Sequence, residues 1–124
     1  MDSRSRSIAV IDDDSRVLES LQNLLTSCGY KAQTYLSAEL FLASDGLSRS
    51  NCIITDVGMR RMTGLELLQR VRGSHCETPV IIITGKPSVH SECFYLGKGA
   101  NGFFRKPIDG QALMAFIDRL LIED

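Results

Sequence analysis

The acidic residues of this chain gather where apolar runs stop. Ile8-Ala9-Val10-Ile11 runs into Asp12-Asp13-Asp14, Cys52-Ile53-Ile54-Thr55 into Asp56, and Val80-Ile81-Ile82-Ile83 into Thr84-Gly85. Carboxylates collected in one crevice repel each other unless a divalent cation or a buried positive partner offsets them, and hard oxygen ligands of this kind suit Mg²⁺. Asp12 and Asp13 continue a buried strand directly, a position that helix capping explains poorly, so they are assigned to metal ligation. Asp14 lies nearest the next helix and is assigned to its N-cap. Asp56 alone is a weaker signal, because Asp is common in turns. Beside a bound cation, however, an exposed carboxylate becomes a nucleophile or a phosphoryl acceptor. Thr84 brings a hydroxyl to a third strand end, where the alternative is a bond to local backbone. Lys106 is either a solvated lysine, as most are, or the positive partner of the cluster. Pro107 after it makes a cis bond available, which would aim the amine at the pocket, but spacing alone does not decide this.

Positioning these groups requires strands whose ends meet. Short continuous apolar runs bounded by turn residues read as strands buried on both faces, hence a parallel sheet. Strand and helix alternate five times. Val17, Leu18, Leu21, Leu24, Leu25 and Cys28 recur at helical spacing, closed by Gly29. Lys31-Ala32-Gln33-Thr34-Tyr35 reads as a half-exposed strand. Ser37 caps a short helix to about Ala43, closed by Ser44-Asp45-Gly46. After strand 52–56, Leu65, Leu68 and Val71 place a third helix on the sheet, ending near Gly73. Pro79 opens strand 80–84, and Lys86-Pro87-Ser88 starts a fourth helix to about Leu96. Strand 102–105 follows, and Leu113, Phe116, Ile117, Leu120 and Leu121 mark a last helix. The three wholly apolar strands belong in the middle and the mixed ones at the edges, so right-handed crossovers favour the order 2-1-3-4-5. The topological switch point then falls between the strands that end in Asp12-Asp13 and Asp56.

Bulk properties fit a single α/β domain spanning residues 1–124. The 124 residues are 44% hydrophobic and 23% charged, with a formal net charge of −1, which gives no electrostatic case for nucleic acid or a membrane as a partner. No apolar run approaches a membrane span or a secretory leader, so the expected compartment is the cytoplasm. Cys28, Cys52, Cys76 and Cys93 form no C-x-x-C pair and have no zinc-spaced histidine, and are expected to be reduced thiols.

Four pieces in order, Val10-Ile11-Asp12-Asp13-Asp14, Thr55-Asp56-Val57 with Met59 and Met62-Thr63-Gly64, Ile83-Thr84-Gly85, and Phe103-Phe104-Arg105-Lys106-Pro107, resemble the receiver domain of bacterial two-component response regulators. Gly29-Tyr30, Ser37-Ala38-Glu39 with Phe41-Leu42, and Thr55-Asp56-Val57 are similar to the FixJ-type subfamily of transcriptional regulators. The resemblance implies a doubly wound (βα)5 fold of the CheY and flavodoxin kind. It implies that Asp56 accepts a phosphoryl group from a sensor histidine kinase. It also implies that Asp13, Asp56 and the Gly58 backbone carbonyl hold Mg²⁺, with Asp12 acting mainly through water. Lys106 would pair with phosphoryl oxygens, and Thr84 and Phe103 would form the switch. Phosphorylation would reshape the surface of the fourth helix and fifth strand, where Val89, Phe94, Tyr95 and Leu96 are expected to offer a homodimer or effector contact. The FixJ-type resemblance further implies a C-terminal DNA-binding domain, absent from this sequence, with control of transcription as the output. The chain departs from the family where Pro-Gly usually follows Met59. It has Arg60-Arg61 there, which either attract an anionic donor or are simply solvated.

The expected role is a phosphoacceptor switch with only self-directed phosphotransfer and autodephosphorylation. A stand-alone regulator acting through protein contacts is the nearest alternative. A Mg²⁺-dependent aspartyl-phosphate phosphatase or phosphotransferase is a rival that lacks the Asp expected two residues after its nucleophile, where Gly58 stands. A flavodoxin-like cofactor carrier would need a phosphate loop where Asp12-Asp13-Asp14 would repel the phosphate.

Overall fold

The computed structural model describes residues 6–85 and 90–122. Strands β1 (Ser7–Ile11), β2 (Lys31–Tyr35), β3 (Cys52–Asp56), β4 (Val80–Thr84) and β5 (Gly102–Arg105) form one parallel sheet in the order β2-β1-β3-β4-β5. Every residue of β3 and β4 is buried, whereas β2, at one edge, is exposed or half-exposed along its length. That contrast is why the apolar runs predict strand order.

Side chains alternate across the pleat, so one strand feeds two cores. Ile8, Val10, Ile54 and Ile81 pack against Leu21, Leu25, Leu113 and Ile117 of helices α1 (Ser15–Ser27) and α6 (Gly110–Leu121). On the other face Ala9, Ile11, Ile53 and Ile82 meet Phe41, Leu67, Leu68 and Tyr95. These come from α2 (Ala38–Ala43), α4 (Gly64–Gly73) and α5 (Glu92–Gly97). Each fully buried aliphatic or aromatic side chain contributes roughly 1.5–3 kcal/mol relative to exposure.

Helix starts follow side-chain chemistry. Asp14, Ser37, Thr63, Ser91 and Asp109 each accept a backbone N–H of the first turn, and Thr63 forms a reciprocal capping box with Glu66. Gly29, with φ 95°, follows α1 and turns the chain into β2. At the end of the sheet away from the acidic residues, Arg72 donates to the carbonyls of Cys76, Thr78 and Gly99 and to Asn101 Oδ1.

Four local expectations need correction. Ser44-Asp45-Gly46 does not close a helix into a loop; a further turn, α3 (Gly46–Arg49), follows. In α4 it is Leu67, Leu68 and Val71 that are buried, while Leu65 is only half-buried. In α6 Met114 is buried, and Phe116 and Leu120 pack at the margin. The fourth predicted helix begins at Glu92 with Ser91 as its cap, because Ser91 accepts the Phe94 N–H. Lys86, Pro87, Ser88 and Val89 lie outside the described residues.

Candidate functional site

Strand register brings the chemistry together. Ile11 pairs with Thr55, so the next residues, Asp12 and Asp56, leave the sheet side by side. Asp56 pairs with Ile83 and Thr84 with Arg105, which sets Thr84 and Lys106 on the opposite flank. Asp12, Asp56, Thr84 and Lys106 line a cavity of about 620 Å³, together with Asp13, Gly58, Leu65, Gly85, His90 and Tyr95.

Asp12 is 2% exposed and Asp56 7%, and neither carboxylate is bare. Asp12 accepts the Asp14 N–H at 2.9 Å and the Lys106 ammonium at 3.0 Å, and Lys106 also reaches Asp56 Oδ1 at 3.2 Å. Burial pushes the Asp12 carboxyl above the usual carboxylate range, and the Asp56 charge adds to the rise against the opposing bonds from Asp14 and Lys106. For Lys106, burial works against the ammonium. Its bond to Asp12 and the charges of Asp12 and Asp56 outweigh that and hold it above the ordinary lysine value. Lys106 is therefore charged at neutral pH, as a partner for anionic oxygens must be. Asp13 is exposed and accepts the Arg60 N–H at 3.4 Å. Asp14 caps α1 as expected, through the Arg16 N–H.

Oxygens of Asp12, Asp13 and Asp56 lie within 4.8 Å of one another. One lysine cannot neutralise three carboxylates, and an all-oxygen set at this spacing fits a hard divalent cation that keeps several waters. Gly58 borders the same space, where an added Cβ would stand 3.9 Å from Asp56 Oδ2.

Two glycines make the packing possible. A Cβ on Gly64 would lie 2.4 Å from the Asp56 carbonyl oxygen, so only glycine lets α4 start against the end of β3. A Cβ on Gly85 would lie 3.0 Å from Lys106 Cδ, in the path of the lysine stem. The Lys106-Pro107 bond is cis.

The aromatic residues differ from expectation. Tyr95 is not on the surface: it is 1% exposed, lines the cavity, and stacks on Phe103 with centroids 5.7 Å apart. Phe103 is half-buried, with the Arg105 guanidinium 5.3 Å from its ring centre. His90 stacks on Phe94 at 3.8 Å and meets Tyr95 edge-on. Leu96 is exposed as expected, Phe94 is half-buried, and Val89 lies outside the described residues. Nothing in the spacing marks His90 as a cavity residue; a loop position carries no periodicity to read.

Comparison with known proteins agrees with this geometry. The family model for the response regulator receiver domain matches residues 8–118. The chain is 37% identical over 112 residues to the transcriptional regulatory protein FixJ of Bradyrhizobium diazoefficiens, covering 90% of this chain and 54% of that protein. It is 32% identical over 117 residues to the response regulator protein TodT of Pseudomonas putida, covering 94% and 52%. It thus spans about half the length of these curated relatives. The crystal structure of FixJ-N superposes with a TM-score of 0.84 at 30% identity, covering 97% of this chain and 98% of that one. With the motifs, the sheet order and the acidic crevice all in register, the chain belongs to the response regulator receiver domain family, the phosphorylation-dependent signalling switches of two-component systems.

Proposed function

We propose that Asp56 is the phosphoacceptor. The observation that carries this is its placement: a buried carboxylate at a strand end, 3.2 Å from the Lys106 ammonium and grouped with Asp12 and Asp13. A carboxylate oxygen of Asp56 forms the new O–P bond as the N–P bond of a phosphohistidine on a sensor histidine kinase breaks. The histidine nitrogen leaves with the electron pair of that bond. Lys106 moves from its carboxylates to the incoming phosphoryl oxygens, and the Thr84 hydroxyl donates to another. Asp12, Asp13 and Asp56, with the Gly58 carbonyl, would hold Mg²⁺, which supplies charge neutralisation at the phosphoryl oxygens when bound.

The response is conformational. Thr84 shifts toward the new phosphoryl group and Phe103 follows. Because Phe103 stacks on Tyr95, its movement repacks the aromatic contact between β5 and α5. The exposed part of that face, with Leu96 at its edge, is the surface for a phosphorylation-dependent homodimer. The coupling is on the order of 1–3 kcal/mol. Control of transcription is the proposed output, supported by likeness to FixJ, and the chain itself turns over no external substrate. A cytoplasmic setting is proposed with this role; among the described residues no helix is long and apolar enough to cross a membrane.

Incubation with Mg²⁺ and acetyl phosphate, read by intact mass, tests the acceptor. Wild type gains one phosphoryl group and Asp56→Asn gains none. Equal labelling of Asp56→Asn would overturn the assignment. Sedimentation with and without beryllofluoride tests the dimer, and an unchanged monomer would remove it.

A further inference from the structure

The loop after Asp56 carries two cations that the phosphoacceptor chemistry above does not use. Arg60 and Arg61 are both exposed, and among the described residues neither guanidinium has a hydrogen-bond or ion-pair partner. This is so although carboxylates stand close by. Asp13, Glu39 and both arginines border one cleft of about 400 Å³, and Asp13 is also part of the wall of the acidic cavity. The cleft therefore opens beside the phosphoacceptor, with Asp13 as the shared wall.

The loop backbone is pinned on both sides of Arg61. Arg60 N–H is bonded to Asp13, Met62 N–H to Glu39 Oε2 at 3.1 Å, and Thr63 closes the capping box of α4. Arg61 is held between these anchors at φ 60°, a left-handed conformation that glycine or asparagine adopts more easily. A long cationic side chain is thus kept at a position where its backbone is strained and, among the described residues, its charge has no partner. Strain retained at the rim of a reactive pocket points to a use for the side chain. The pocket itself carries three carboxylates against one lysine, a charge that a bound Mg²⁺ would bring only to neutral, so attraction for an approaching phosphate anion must come from its rim.

We propose that Arg60 and Arg61 are specificity-determining residues for the phosphodonor: they form a cationic rim that draws small acyl phosphates, as dianions, to Asp56. The inference rests on Asp56 being the phosphoacceptor. Neither arginine takes part in bond making; both act on the approach of the donor by long-range attraction.

The test compares two donors of different charge. At neutral pH acetyl phosphate is a dianion and phosphoramidate is mainly a monoanion. Phosphorylation rates are measured by intact mass with saturating Mg²⁺ for wild type, Arg60→Ala, Arg61→Gly, the Arg60→Ala/Arg61→Gly pair, and Arg60→Lys/Arg61→Lys. Glycine at position 61 suits the left-handed backbone, so the loop shape is kept. At low ionic strength the Ala/Gly pair should slow acetyl phosphate about tenfold and phosphoramidate only about threefold, since the attraction scales with donor charge. At 0.15 M salt, where the screening length is about 8 Å, the acetyl phosphate loss should shrink to about twofold. The double lysine variant should keep the wild-type rate with both donors. Equal losses for the two donors, a loss indifferent to salt, or no loss would each overturn the proposal. Wild type inert to both donors would instead overturn the phosphoacceptor reading, and the rim proposal with it.

Discussion

At the residue scale the site is an electrostatic compromise. Asp12 and Asp56 are buried together at the ends of β1 and β3, and Lys106 bridges them. Replacing Lys106 by Ala removes the only cation paired with either carboxylate among the described residues. Lys106→Ala should lower stability without Mg²⁺ by about 1–2 kcal/mol, between the values for exposed and buried pairs. The same change should tighten Mg²⁺ binding, because the metal no longer competes with the ammonium. Titration followed by thermal melts checks both, and weaker Mg²⁺ binding would contradict the competition. Asp13 is exposed and, among the described residues, holds only the Arg60 N–H, so its loss should leave the fold intact while removing a proposed metal ligand. In wild type a tenfold excess of Mg²⁺ over its dissociation constant stabilises by about 1.4 kcal/mol. Asp13→Ala should lose most of that shift at the same Mg²⁺ concentration.

At the element scale the site depends on how closely helices approach strand ends. Gly64 starts α4 against the backbone of Asp56, and backbone cannot yield as a flexible side chain does. Gly64→Ala should cost about 1–3 kcal/mol, as overpacked sites do, and should slow phosphorylation by displacing Asp56. Chemical denaturation and intact-mass kinetics read the two effects, and a variant of wild-type stability would show that α4 can retreat without cost. These elements were also where the sequence was easiest to read. Alternation of apolar runs with turn residues marked all five strands, because β3 and β4 are buried on both faces and β2 is not. The meeting of Asp12, Asp56, Thr84 and Lys106 in one crevice was legible because each directly follows or ends a strand, with Asp13 one residue further on. Helix α5 was harder. Its apolar residues number too few turns to fix a phase, so Tyr95 read as surface although it packs beneath Phe103. The single turn α3 leaves no periodic signal, and the role of Gly64 as a contact point exists only once β3 and α4 are placed.

At the scale of the whole molecule, two cores on opposite faces of one sheet tie the acidic crevice to distant surfaces. The Tyr30 hydroxyl, just before β2, donates to Asp118 on α6 and so ties the start of an edge strand to the last helix. Burial and then the Asp118 bond raise the Tyr30 phenol above its ordinary value. The unfolded chain releases this proton near pH 10 while the folded chain keeps it. Above that pH the unfolded state binds fewer protons, and stability falls as pH rises. Tyr30→Phe should cost about 1 kcal/mol at neutral pH, the worth of one hydrogen bond. The gap to wild type should narrow above pH 10, as denaturation at the two pH values would show; a constant gap would mean the phenol titrates alike in both states. The central claim, that this fold exists to place one phosphoacceptor, has a more direct test. Wild type is phosphorylated with acetyl phosphate and Mg²⁺, the acyl phosphate is reduced with borohydride, and the modified residue is located by peptide sequencing. Homoserine is expected at position 56 and at no other aspartate. Homoserine at position 12 or 13, or none at all, would contradict the claim.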